Sequence, residues 1–287
     1  VSTAIPEHNI ELQSAKASGM RILHRSEVLH ELVRERMTIG VTGTHGKGTV
    51  SSMIAWILHE AGWNPGFVIG GLLENFGVNA RWGGTAPDGR SWMVLEVDES
   101  DGSHQRILTD YLVCNYLEAD HLNYYSDLDH IIEAMAASVR DNPALQAVFV
   151  NGDCSGNRRL LEMITKPAHA YGLGADCELH GTLSGSGQFP ICYTVDRQGD
   201  PMGSGELSIP GRYNVTNALG ALSVATAIGV PIATALDALS RFKGLENRFS
   251  IVRAGGLTLV KDYISHPTGM KRVLESARDL TSGRIFS

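Results

Sequence analysis

The chain has 287 residues, with 43% hydrophobic and 19% charged residues, which excludes disorder as its main state and leaves length for roughly two domains. Its 24 Lys and Arg against 31 Asp and Glu give a net charge of −7, so the total shows no basic face for general nucleic-acid binding. No apolar run approaches the roughly 18–20 residues of a membrane span.

Val1–Pro6 lacks the charged and apolar regions of a signal peptide. Cys114, Cys154, Cys177 and Cys192 are scattered without a CxxC pair, which argues against disulfides or a zinc site built on them and for a reducing cytoplasm. There is no initiator Met, and the chain ends inside what reads as a new strand, Gly283–Ser287, so we expect a piece of something longer.

Glu11–Ala17 reads as a helix, Met20–Leu23 as a short strand, and Glu27–Val33 as a second helix capped by Ser26. Met37–Thr42 is a β-branched run ending in the glycine loop Gly43-Thr-His-Gly-Lys-Gly-Thr49. From Val50 to Ala61 the residues Val50, Met53, Ile54, Ile57 and Leu58 share one helical face. Strand, glycine loop and helix make the βα unit of a parallel sheet. Gly66–Ile69, Trp92–Val97, Tyr111–Cys114 and Ala147–Val150 are further strands, and Leu128–Arg140 and Ser155–Ile164 further helices. Apolar strands alternating with helices predict an α/β fold, a doubly wound, mostly parallel sheet covered on both faces. From about 165 to 210, short strands and the glycine-rich turns Gly181–Gly187 and Gly199–Gly205 suggest a small β subregion. Alanine-rich helices follow at Asn214–Ile228 and Pro231–Phe242, then a boundary near Lys243–Asn247, a strand at Leu257–Val260 and a helix at Thr268–Asp279.

Three segments carry chemistry. Gly43, Gly46 and Gly48 let the backbone bring N–H groups close to an anion at the following helix N-terminus, and Lys47 adds a point charge for phosphates. Against the strict GxxxxGK[ST] pattern, Val41 stands for the first glycine and Gly48 for the Ser or Thr. The alternative is a tight βα turn that happens to carry a lysine. Leu95-Glu-Val-Asp-Glu-Ser-Asp101 crowds four acids at the end of a predicted strand. A carboxylate there can hold the Mg²⁺ that accompanies ATP, and the alternative is a solvated acidic loop. Glu118-Ala-Asp-His121 follows a third strand, so His121 reaches the same crevice or is structural.

Together the glycine loop, Glu96-Val-Asp-Glu-Ser-Asp-Gly-Ser103 and Asn115-Tyr-Leu-Glu-Ala-Asp-His121 resemble the Mur ligase family. Pro210-Gly-Arg-Tyr-Asn-Val-Thr-Asn217 resembles its PGRHNxxN, Asn247-Arg248-Phe249 its RRF, and Asp262-Tyr-Ile-Ser-His-Pro-Thr268 its DDYxHHPTE. The resemblance runs over nearly the whole chain. It implies the tail of an N-terminal UDP-binding domain at 1–35, a central ATP-binding domain of P-loop type at 36–246, and the start of a Rossmann-like C-terminal domain at 247–287.

The same resemblance implies ATP and Mg²⁺ as cofactors. Gly43, Thr44, His45, Gly46, Lys47, Gly48 and Thr49 would hold the ATP phosphates. Thr49, Glu96 and His121 would hold metal, and Lys47, Glu96 and His121 would carry catalysis. Asn214 and Asn217 would lie near adenine, and Arg248 and Asp262 near the phosphate tail and ribose. The implied reaction joins L-alanine to the carboxylate of UDP-N-acetylmuramate through an acyl phosphate, with domain closure on binding. Phe67–Gly71 with Asn75 and Phe76 also resembles ligases that join a murein tripeptide to the same sugar nucleotide. A non-catalytic nucleotide-binding paralogue and an unrelated P-loop phosphotransferase are the other readings. No nucleic-acid or membrane partner is expected. The chain departs from the family pattern at Gly48, His104, Tyr213, Asn247, Lys261 and Ser265.

Overall fold

The computed structural model describes residues 1–122, 124–185, 189–264 and 266–287. The chain runs through α1 (Ile10–Ala17), α2 (Arg25–Val33), β1 (Met37–Thr42), α3 (Lys47–Glu60), β2 (Gly66–Leu73), β3 (Val78–Arg81), β4 (Trp92–Glu96) and β5 (Tyr111–Cys114). It continues with α4 (Leu128–Asp141), β6 (Ala147–Asn151), α5 (Ser155–Met163), β7 (Ala168–Gly172), β8 (Leu179–Ser184), β9 (Ile191–Arg197) and β10 (Asp200–Leu207). The last elements are α6 (Tyr213–Ala227), α7 (Ile232–Ser240), β11 (Ser250–Ala254), β12 (Leu257–Lys261) and α8 (Pro267–Asp279).

Ten strands form one sheet in the order β10-β9-β8-β7-β6-β5-β1-β4-β2-β3. The strands from β2 to β8 pair in parallel. The hairpin partner β3 at one edge and the β8–β9–β10 meander at the other are antiparallel. Alternate residues of the central strands feed two separate cores. Ile39, Val41, Val94, Val113 and Phe149 point to the side of α3, α6 and α7. Leu112, Cys114, Val148 and Val150 point to the side of α4 and α5, and Met93 and Leu95 pack with Val33 of α2. A strand buried on both faces reads as an unbroken apolar run, which is why these segments carry no polar alternation. The expected apolar face of α3 lies wholly in the first core.

The connection from β1 passes over β4 to β2, and β5 lies on β1's other flank. The strand order therefore reverses at β1, and the carboxyl ends of β4, β1 and β5 open a crevice where ligands bind in folds of this type. The register aligns Val41 with Glu96 and Thr42 with Cys114, so the three segments that carry chemistry leave the sheet at one level.

Several expectations need correction. Helix α2 is capped by His24, whose ring accepts from the Ser26 N–H, in a capping box with Glu27; Ser26 itself lies inside the helix. Met20–Leu23 forms no strand, and no strand among the described residues pairs with it. Gly283–Ser287 is irregular too, tied back where Arg278 donates to the Gly283 carbonyl at 2.7 Å. The expected small β subregion is present as β8–β10, and its strands extend the main sheet, β7 pairing on β6 and β8 on β7. Past Asn247 the described chain is the β11–β12 hairpin and α8. Ser265 and the Ser186–Gln188 stretch of the expected turn fall outside the described residues. No helix among the described residues is long and apolar enough to cross a membrane.

Candidate nucleotide and metal site

Helix α3 starts at Lys47, inside the glycine loop, with Gly46 as its left-handed N-cap at φ 78°. The first amides of the helix therefore open into the crevice as an anion site. The loop is pinned from β5's end. Thr44 N–H donates to Tyr116 O at 2.7 Å, and the Asn115 side chain donates to His45 O at 3.0 Å. These contacts explain two glycines. A Cβ at Gly43 would lie 2.6 Å from Tyr116 O, and one at Gly46 would lie 2.2 Å from Asn115 Nδ2. Both also have positive φ, which side chains disfavour.

Lys47 donates to Gly43 O at 2.9 Å and to both Glu99 oxygens at 3.0 Å, with Asp98 at 3.7 Å. Burial alone would lower the lysine's pKa, but Glu99 and Asp98 outweigh it and the net shift is upward. Burial would raise Asp98; Lys47 and the Ser100 N–H bring it below its ordinary value. His121 Nε2 lies 3.3 Å from Glu99 Oε1, and that hydrogen bond raises the histidine above its ordinary value. The His121 backbone is left-handed, at φ 54°.

Glu96 stands apart from that cluster. Its Oε2 accepts from Gly70 N–H at 2.6 Å, and a Cβ at Gly48 would lie 3.3 Å away from it. The structure thus sets His121 beside Glu99, whereas the family pattern pairs His121 with Glu96. Glu99, fully buried, is the residue that sequence reasoning left unassigned inside its own acidic run. Thr49, Glu96, Asp98 and His121 line one cavity with Lys47. The donors are mostly oxygen and two of them are carboxylates, the set that suits a hard cation such as Mg²⁺. The residues present therefore fit Mg²⁺, the ion that the resemblance implies.

The cavity holds about 440 Å³ and collects every expected site residue except Gly43, the first residue of the loop. Asn214 and Asn217 reach it from α6, but their amides are engaged. Asn115 donates to Asn217 at 2.8 Å, Asn217 donates to Asn214 at 2.9 Å, and Asn214 donates to Pro210 O at 2.6 Å. This chain of amides braces the glycine loop from below. Tyr213 lines the wall beside them, its hydroxyl pKa raised by burial. Arg248 and Asp262 close the far side, 3.8 Å apart, and Asp262 accepts from Phe249 N–H at 3.0 Å. Burial raises the Asp262 carboxyl above its ordinary value, with Arg248 opposing. Arg272 of α8, also missed in the sequence, lies 4.3 Å over the Tyr116 ring on the same wall.

The Mur ligase middle domain family matches residues 41–225. A relative from Solidesulfovibrio magneticus, a UDP-N-acetylmuramate–L-alanine ligase, is 36% identical over 280 residues, covering 96% of this chain and 60% of its own. The chain thus spans about 60% of the length of the curated relatives it matches. Among solved structures, the Neisseria meningitidis UDP-N-acetylmuramate:L-alanyl-γ-D-glutamyl-meso-diaminopimelate ligase superposes with TM-score 0.75 at 28% identity, over 84% of this chain and 78% of that one. The UDP-N-acetylmuramate–alanine ligase of Thermotoga maritima superposes with TM-score 0.82 at 24% identity, over 97% and 63%.

Proposed function

This chain belongs to the Mur ligase family, and on that premise we propose that it is the ATP-activating part of an amide ligase joining L-alanine to the carboxylate of UDP-N-acetylmuramate, a step of peptidoglycan precursor synthesis. The observation that carries the proposal is the convergence at one crevice of the α3 N-terminus, Lys47, and the acids and His121 that follow β4 and β5.

A carboxylate is a poor acyl donor. Its oxygen attacks the γ-phosphorus of ATP, the bond to the β-phosphate oxygen breaks, and ADP leaves. The amine then attacks the acyl phosphate carbonyl, loses a proton, and inorganic phosphate departs. The α3 amides and Lys47 hold the triphosphate and offset charge on the transferring group. Thr49, Glu96 and His121 would hold Mg²⁺, which when bound would neutralise phosphate charge. Tyr213 and the Asn214–Asn217 pair form the wall where a purine would lie, and Arg248 and Asp262 would face the phosphate tail and ribose. Free cysteines throughout the chain suit a reducing cytoplasm.

The test follows phosphate release by the full-length protein given Mg·ATP, UDP-N-acetylmuramate and L-alanine. Release only with all three supports the reading. Release only when a murein tripeptide replaces L-alanine transfers the assignment to the peptide-joining relatives, to which the Neisseria structure belongs. Binding of ATP with no release for either amine refutes ligase activity. Glu96→Ala should lower turnover by more than about 100-fold, beyond what loss of an outer partner of a metal ligand costs.

A further inference from the structure

A second cluster lies beside the phosphate loop, outside the proposed Mg²⁺ ligands. His45 Nε2 is 3.0 Å from Glu118 Oε2, and His266 Nδ1 is 3.7 Å from the same oxygen. The three ligating atoms all lie within 4.8 Å of one another, and the two rings pack at 4.6 Å between centroids. We infer that His45, Glu118 and His266 form a binding site for a borderline divalent transition ion, Zn²⁺ foremost.

Three observations carry this. First, the spacing fits. Bonds of about 2.0–2.1 Å in a tetrahedral site separate neighbouring ligand atoms by about 3.3 Å. The two measured separations bracket that value. Second, the tautomer of His266 is set. Thr268 N–H donates to its Nδ1 at 3.3 Å, so that nitrogen carries a lone pair. The proton then sits on Nε2, which faces Ala119 O at 3.4 Å. A histidine whose other nitrogen donates to a backbone carbonyl is the usual supported metal ligand. Its Nδ1 also faces a Glu118 oxygen at 3.7 Å, and an ion bound there would take the lone pair from the long Thr268 bond. Third, the donor set is selective. Two imidazoles and a carboxylate suit Zn²⁺ or Co²⁺, whereas Mg²⁺ prefers the oxygen-rich site around Glu96.

The ligands come from the phosphate loop, the segment after β5 and the N-cap of α8. Side-chain exposures of 17%, 28% and 20% leave an entry path. A bound ion would tie α8 to the phosphate loop.

The test is titration of the full-length protein, nucleotide-free, with Co²⁺ and Zn²⁺, reading the visible absorption of tetrahedral Co²⁺ and its displacement by Zn²⁺. One equivalent in the wild type is expected. His266→Asn removes the imidazole while keeping an N-capping side chain; it should weaken binding by more than about 100-fold, beyond the loss of an outer partner. Glu118→Ala should do the same. His121→Ala should leave this equivalent in place. No Co²⁺ band in the wild type overturns the inference. So does a band that survives His266→Asn, or one lost in His121→Ala but kept in His266→Asn.

Discussion

Replacing Lys47 by Met isolates the charge arrangement at the centre of the site. Glu99 is fully buried, and Lys47 donates to both its oxygens at 3.0 Å. At that distance and an effective dielectric near 20, a unit pair attracts by about 5–6 kcal/mol before desolvation is counted. Removing one partner of a buried pair strands the other charge and costs about 3–5 kcal/mol. His121, 3.3 Å away and partly exposed, can offset only part of this. We therefore expect Lys47→Met to lower the urea-derived unfolding free energy by about 3–5 kcal/mol. Lys47→Met with Glu99→Gln should recover at least half of that loss, since the stranded charge is gone. Nucleotide binding should weaken in both variants, because the cation at the head of α3 is gone. A single variant that loses less than about 1 kcal/mol, the scale of an exposed ion pair, would refute the reasoning. A double variant no more stable than the single would also refute it, because the cost would then come from lost lysine packing.

Gly48→Thr restores the family's hydroxyl but sets a Cβ 2.9 Å from Leu245 Cδ2. Overpacking should cost about 1–3 kcal/mol, and a double-mutant cycle with Leu245→Ala should show favourable coupling of about 1 kcal/mol or more; additivity would contradict the steric account. Gly46→Ala, with φ 78° and a Cβ 2.2 Å from Asn115 Nδ2, should lose about 1–2 kcal/mol from backbone strain alone. It should also weaken ADP binding measured by calorimetry, and an unchanged affinity would show that the loop tolerates the shift. His104 is buried, its ring nitrogens find no hydrogen-bond partner among the described residues, and burial lowers its pKa from the ordinary 6.5. The unfolded chain then takes up a proton that the folded chain refuses, so stability is full above pH 6.5 and falls as the pH drops below it. His104→Phe should add about 1–3 kcal/mol by removing two unsatisfied atoms. It should also flatten the fall in urea midpoint between about pH 7.5 and about pH 5.5; an unchanged slope would assign it to other groups.

Elements that bury a continuous or periodic apolar set were legible in the sequence, and those whose form depends on a distant partner were not. Val50, Met53, Ile54, Ile57 and Leu58 announce α3, and the unbroken runs of β1, β4, β5 and β6 announce strands covered on both faces. The edge strand β3 reads Val-Asn-Ala-Arg and is mostly exposed, so it has no pattern to find. Met20–Leu23 has a strand's composition, but a strand also needs a neighbour. The alternation of Ile191–Arg197 was readable, yet joining β8 to β7 is a parallel pairing that no local signal encodes.

The same division explains the site. The glycine loop is local, so its role follows from its own spacing. Which of four neighbouring acids meets Lys47 is not local. Glu99 is aimed by a left-handed turn at Gly102 and by Tyr125, whose hydroxyl donates to the Glu99 carbonyl at 2.7 Å from 26 residues away. Gly48 reads as a loss against the family pattern only until Leu245 is seen, because its side chain fills the space that a threonine would take. A departure in a motif is therefore best judged with the residue that faces it, and here that residue lies almost two hundred positions down the chain.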